Sequence, residues 1–221
     1  MGAAPVQPIP GGKRKTTVQV NLDFFGWNLD RPPRVGGFRY RGAVRRVSVV
    51  GASGSGKSTF ARRLAQRLGA PYVELDALHW GPGWRPRADF ARDAGRAVAT
   101  DLWVVDGNYS VVRDAVWARA DTVVWIDPPA PTVLAQVYGR SFRLALSQEE
   151  LWPGTGNRQP WREVLVPWAA GSILRWSWAE LRKHPARYGA AMADPANAHL
   201  TFHRLRTRRA ADEFLARADA R

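Results

Sequence analysis

The chain has no cysteine. A disulfide framework and a thiolate metal site are therefore excluded. No apolar run is long enough to cross a bilayer. The first residues carry Pro, Gly and scattered charge in place of the apolar centre of a secretion signal. Acidic residues are scarce, with 19 Asp and Glu against 33 Lys and Arg, a formal net charge of +14. Such a balance suits polyanions, among them nucleotides, nucleic acids and acidic membranes. No helix-turn-helix, zinc finger or RNA-stacking motif accompanies it, so nucleic acid is not the favoured partner. An arginine-rich composition accounts for the excess equally well. No internal repeat is present. The expectation is a soluble, cytoplasmic protein without a membrane role, and the oligomeric state stays open.

What the chain does have is GASGSGKST, residues 51–59. It fits G-x-x-x-x-G-K-[ST], with Gly51, Ser53, Gly54, Ser55, Gly56, Lys57 and Ser58 in the pattern and Thr59 just inside the helix that follows. Glycines let the backbone approach a phosphate with no Cβ in the way. Successive N–H groups then face one concavity, and the following helix adds its N-terminal partial charge. Lys57 reaches β and γ phosphates, and the Ser58 hydroxyl is a ligand for Mg²⁺. Apolar, β-branched residues precede the loop, and Phe60, Leu64 and Leu68 follow it at helical spacing. Strand, loop and helix are the setting the motif needs. ATP and Mg²⁺ are the expected nucleotide and metal.

A chain of 221 residues suits one α/β domain. Strands are expected at 46–50, 72–75, 102–105, 122–126 and 199–205. Helices are expected at 59–68, 86–100, 110–119 with Ser110 as cap, 130–145, 161–183 and 209–218. This alternation implies a parallel sheet covered on both faces, a three-layer α/β fold. Residues 1–43 read differently. They form an extension that is partly disordered or a small edge hairpin (Val18, Val20, Leu22 and Phe24 alternate with polar residues), or they precede a native start near Val44. The domain is expected over 44–221, with a lid at about 140–162.

Ligands of such sheets bind at the carboxyl ends of the strands, where Gly51, Asp76, Asp106 and Asp127 fall. No N-K-x-D motif is present to read guanine. No expected strand ends in the adjacent Asp-Glu that would activate a water, so a small-molecule acceptor is favoured over hydrolysis. Asp76 is a base or an acceptor-orienting group. His79, Trp80 and Trp84 are candidates for the acceptor wall, and both tryptophans equally suit a core. Asp106 is placed to hold an Mg²⁺-bound water, and Asn108 or Tyr109 to bind the acceptor. Arg140 and Arg143 share one helix face. With Arg158 and Arg175 they flank a Gly/Pro-rich segment and suit a phosphate clamp, as they also suit a solvated basic face.

The order GASGSGKST, LDALHW-x3-W, WVVDGNYS, ADTVVWID, ELW…GNR and SILRW resembles bacterial P-loop proteins of the adenylate-kinase-like, topology-modulation (FlaR-like) group. The likeness runs from Val44 to the C-terminus. It implies a P-loop NTPase fold with strand order 2-3-1-4-5, a helical lid, and an adenine contact after the last strand at Arg206. Adenylate kinases carry D-G-F-P-R where this chain has Asp106-Gly107-Asn108-Tyr109-Ser110, so a phosphate-binding arginine is missing and the acceptor stays open. The expected function is Mg-dependent transfer of the γ-phosphoryl group of ATP to a small acceptor, a nucleotide, nucleoside or other molecule. The alternative is a nucleotide-switched regulatory protein acting on DNA or a protein partner.

Overall fold

In a computed structural model the described residues are 44–166 and 172–218. The expectations for 1–43, and for the part of the 161–183 helix that covers 167–171, fall outside them. In chain order the elements are β1 (Arg46–Gly51), α1 (Lys57–Leu68), β2 (Tyr72–Glu74), α2 (Leu75–His79), β3 (Trp80–Gly81), β4 (Arg85–Pro86), α3 (Phe90–Ala97), β5 (Trp103–Asp106), α4 (Ser110–Trp117), β6 (Thr122–Ile126), α5 (Ala130–Ser147), α6 (Trp161–Leu165), α7 (Ile173–Ala193), β7 (Thr201–Leu205) and α8 (Arg208–Ala218).

Five strands form a sheet in the order β2-β5-β1-β6-β7, and every pairing in it is parallel. The chain numbering differs from the expected 2-3-1-4-5 only because β3 and β4 intervene; counted among the five sheet strands alone, the order is 2-3-1-4-5. Strands β3 and β4 pair with each other as an antiparallel ribbon and never join the sheet. The tight turn Pro82–Trp84 folds the chain back on itself there, and two residues per strand gave no alternation to read in the sequence.

The central strands are apolar because both their faces are covered. Val47, Val49, Trp103, Val104, Val105, Val123 and Val124 have no exposed surface. Helix α1 buries Phe60, Ala61, Leu64 and Ala65, the single face that a 3.6-residue period predicts. Each fully buried large apolar side chain contributes roughly 1.5–3 kcal/mol, so Phe60 and Leu64 fix α1 firmly under the loop it follows. Phe60 also meets Phe214 of α8 at 5.6 Å. Gly69 closes α1 in the left-handed conformation, donating its N–H to the carbonyls of Ala65 and Gln66.

Several boundaries differ from the sequence reading. Strand β2 stops at Glu74, and Leu75 and Asp76 open α2. Helix α1 begins at Lys57, so Thr59 is its third residue. Pro86 lies in β4, and α3 starts only at Phe90. Ser110 is the first residue of α4, whose cap position is Tyr109 with no side-chain cap bond. Beyond Pro160 the chain forms the short α6 and the long α7, where one helix was expected.

Candidate functional site

The loop 52–56 links the buried end of β1 to α1 beneath α5. Gly54 has φ +80°, and a Cβ there would sit 2.8 Å from the Val133 carbonyl oxygen and 2.9 Å from the Val137 nitrogen. Only glycine lets the loop lie this close to the α5 backbone. Across the cleft Gly107 plays a similar part: its φ is +138°, and a Cβ would meet the Leu75 Cβ at 2.9 Å. That contact holds the turn after β5 against the start of α2.

Asp106 ends β5, 3% exposed, and accepts a hydrogen bond at Oδ2 from the Tyr72 hydroxyl at 3.0 Å. Its other oxygen, Oδ1, is buried with no hydrogen-bond partner. Burial pushes its pKa up, the Lys57 charge and the Ser58 hydroxyl pull it down, and Glu74 and Asp76 push it up again. Lys57, Ser58 and Asp106 are thus brought together. Among the described residues no group of three His, Asp or Glu side chains could hold a metal alone. An orphan carboxylate oxygen beside a hydroxyl fits instead a hard cation that keeps its waters and takes phosphate oxygens.

Asp76, Tyr109 and His79 form a second group. The Tyr109 hydroxyl donates to Asp76 Oδ1 at 2.6 Å. Burial and the Asp76 charge push the Tyr109 phenol well above its ordinary range, so it stays a donor. The His79 ring lies 4.5 Å from Tyr109, 4.7 Å from Phe90 and 4.6 Å from Trp80. Burial lowers its pKa, against the raising effect of Asp76, which leaves a neutral imidazole at neutral pH.

The ribbon and the segment 148–160 form a wall beside this group. Trp80 meets Trp84 at 5.8 Å, and Trp84 meets Trp152 at 5.6 Å, both edge to face. Asn157, 2% exposed, accepts from the Trp84 N–H at 2.9 Å and donates to the Gly81 carbonyl at 3.0 Å. The Trp152 indole N–H points to Glu74 Oε1 at 3.4 Å, and Glu74 also takes Arg62 at 2.8 Å. Glu74, Trp152 and the latch role of Asn157 were missed in the sequence. Their partners lie 76 or more residues away in the Asn157–Gly81 and Trp152–Glu74 pairs, beyond any local pattern.

The expected arginine clamp is dispersed. Arg140 donates to Ser53 Oγ at 3.4 Å, so it reaches the loop. Arg143 lies close enough to Arg140 for that charge to lower its pKa, after burial. Arg158 donates to the Gln148 carbonyl near the end of α5. Arg175 is exposed in the first turn of α7, where its backbone N–H meets Ser172 Oγ at 3.2 Å. Arg206 follows β7, with Nε 3.9 Å from Asp127. Asn108 lies beside Tyr188 of α7, whose phenol burial pushes up to about 12, with Asn108 holding it back. His184, one turn earlier on α7, is 2% exposed, and it feels the charges of Lys57 and Asp127. Nothing in the sequence pattern had singled it out.

No family model matches the chain. It is 33% identical over 138 residues to a shikimate kinase of Salinibacter ruber, covering 55% of this chain and 66% of that protein. It is 32% identical over 131 residues to a shikimate kinase of Synechococcus elongatus, covering 52% of this chain and 68% of that protein. The chain thus spans about two thirds of these relatives. A gluconokinase structure from Sinorhizobium meliloti covers 81% of this chain and 93% of its own, at 19% identity and a TM-score of 0.45. With a phosphate-loop strand and helix in a five-stranded parallel sheet, and relatives of this identity and extent, the chain belongs to the shikimate-kinase-like family of P-loop kinases.

Proposed function

We propose that this protein is an ATP- and Mg²⁺-dependent phosphotransferase acting on the hydroxyl group of a small molecule. The observation that carries the reading is the meeting of Lys57, Ser58 and the orphan oxygen of Asp106 at the end of the phosphate loop. Kinase relatives support transfer over the regulatory alternative. Within the family we place the chain in the adenylate-kinase-like, FlaR-like branch on its LDALHW, DGNYS and GNR stretches.

The backbone of residues 51–59 cradles the β and γ phosphates, and Lys57 follows the charge as it moves to the β–γ bridge. Ser58 and Asp106 would hold Mg²⁺, which supplies charge neutralisation across those phosphates. Asp76, held by the Tyr109 hydroxyl, orients the acceptor hydroxyl and takes its proton. His79, Trp80 and Asn108 line the acceptor side with Tyr109. Arg140 and Arg143 close on the phosphates from α5, and Arg158 and Arg175 join them when the 140–162 segment moves as a lid. Arg206 meets the adenine edge.

The test is ADP release from Mg-ATP with nucleosides, nucleoside monophosphates, sugars and small alcohols, beside Lys57→Ala. The expected result is one acceptor that stimulates release and gains a phosphoryl group by mass. Lys57→Ala should lose on the order of 10²–10³-fold in rate while staying folded. Retained turnover in folded Lys57→Ala protein would sink the proposal.

A further inference from the structure

We infer that this protein pairs with a second copy of itself through the outward face of α5, the two helices running antiparallel about a twofold axis near Arg140. The inference stands apart from the kinase reading and concerns a surface that the phosphate loop does not use.

Helix α5 has two faces with different surroundings. Val133, Val137, Ser141 and Ala145 are buried, and Gly54 of the phosphate loop lies against the backbone at Val133 and Val137. Arg140 also turns to the loop, reaching Ser53 Oγ at 3.4 Å. The next stripe round the helix is Pro131, Ala135, Tyr138, Phe142 and Leu146, spaced by three or four residues as one helical face requires. It runs for about 22 Å. All five residues are exposed, and none carries a charge. Trp161 of α6 widens the stripe, edge to face with Phe142 at 5.8 Å, and Leu165 follows one turn on. Tyr138, Phe142 and Trp161 are about two-fifths exposed, and Leu146 and Leu165 about two-thirds. This is on the order of 500 Å² of open apolar side chain, a patch of the size that marks a contact site. With a polar rim it approaches the roughly 800 Å² per partner of a standard interface.

Gly139 is a second, independent sign. It sits in the middle of α5 with no left-handed φ to call for it. A Cβ there would meet nothing within 4 Å. Glycine inside a helix costs stability relative to alanine, and nothing among the described residues asks for it here. A gap of this kind lets a second helix approach closely. Gly95 of α3 and Gly189 of α7 are as open, but neither has an exposed aromatic residue within a turn of it.

The stripe is complementary to itself. Turned end for end about residue 140, it sets Ala135 against the partner's Leu146 and Tyr138 against the partner's Phe142. Small meets large at the outer pairs. Two aromatic pairs close round the Gly139 gap, and each contact occurs twice, as a twofold interface requires. Nucleic acid and other polyanions are drawn to arginine, and this stripe has none. A bilayer has no ridge to enter the gap. The lack of charge also keeps like-charge repulsion out of the contact between two basic chains.

The experiment is sedimentation equilibrium on the full chain, from about 5 to 200 μM and at roughly 50 and 500 mM NaCl. The expected result is a mass that climbs to twice that of one chain. The Kd should be at least three-fold lower at high salt, because salt screens the repulsion between two net charges of +14. Leu146→Glu and Gly139→Gln should each weaken pairing at least ten-fold, while Gly95→Gln leaves it within two-fold. An unchanged far-ultraviolet circular dichroism spectrum shows each variant folded. The chain has no cysteine, so the register can be read directly. Ala135→Cys and Leu146→Cys chains, mixed and mildly oxidised, should link at least ten-fold faster than either chain alone. A single-chain mass at every concentration and salt would overturn the inference, whether or not the chain sediments with phosphatidylglycerol vesicles. A dimer indifferent to Leu146→Glu and Gly139→Gln, or one that links no faster in the mixture, would overturn it as well.

Discussion

Gly54 of the phosphate loop and Asn157 of the 148–160 segment shape their surroundings by different means. At the nucleotide end the form comes from backbone, since Gly54 matters for the side chain it lacks and the α5 main chain fills the space. At the proposed acceptor end it comes from side chains. Asn157 reaches across to Gly81 and Trp84, and Trp152 reaches Glu74. A backbone site is written in one short stretch and changes little among chains that share it. A side-chain site is assembled from distant segments and can be altered one residue at a time. The difference fits a family in which the phosphate donor is shared and the acceptor is where members diverge.

The comparison can be broken most forcefully at Gly54. Gly54→Val puts a branched side chain into the α5 backbone at a φ that L residues avoid, and should cost roughly 2–4 kcal/mol. ATP binding by calorimetry should vanish with it. Wild-type affinity in this variant would mean the loop does not need its contact with α5.

Asn157→Ala probes the other end. It leaves the part-buried Trp84 N–H and the buried Gly81 carbonyl without their partner, for about 1–3 kcal/mol. The acceptor KM should rise while the Kd for ATP stays within about two-fold, an equality that separates the ends cleanly. Equal loss on both sides would show one cooperative unit. Tyr109→Phe is milder. It removes one charge-assisted hydrogen bond to Asp76, and a fall in kcat of roughly 5- to 20-fold is expected, from about 1–2 kcal/mol. No change in kcat would remove Asp76 from the proton path.

The smallest effect is in pH. Burial, and then the Arg187 charge, hold the His184 pKa below its ordinary 6.5, against Glu180 at 3.6 Å. The unfolded chain therefore takes up the proton first. The contribution to stability is complete above about pH 6.5 and is lost as pH falls below it. Melting temperature should drop by roughly 2–4 °C between pH 7 and pH 5. His184→Asn should flatten part of that slope, with His79 and His203, also lowered by burial, supplying the rest. An unchanged slope in His184→Asn would mean that folding does not lower the pKa of this histidine.

The sequence carried the nucleotide end well for a physical reason. Glycine spacing, an apolar run before it and a helical face after it are all local, and β1, the loop and α1 follow from them. The sheet strands were legible because burial on both faces leaves continuous apolar runs. The ribbon was not, since two-residue strands around Gly83 make no period. Asp76 was found as an acid near a strand end, although it sits in a helix turn. Its partner Tyr109, 33 residues on, was named as a separate acceptor contact and not as a donor to Asp76. Glu74 and Trp152 escaped because their meaning lies in each other. Arg158 was read from composition alone, and its bond to the Gln148 carbonyl near the end of α5 is a contact no local pattern announces.

The three edge-to-face tryptophans of the proposed acceptor wall have an optical consequence. Trp80 and Trp84 ride on the ribbon and Trp152 on the segment that carries Asn157, with neighbouring rings under 6 Å apart. Indoles at this spacing couple their excited states and quench one another. Any movement of residue 152 away from residue 84 would therefore change near-ultraviolet circular dichroism and emission at once. The tryptophans thus give the protein a label-free reporter of any shift of the 148–160 segment against the ribbon, the motion that the proposed lid requires.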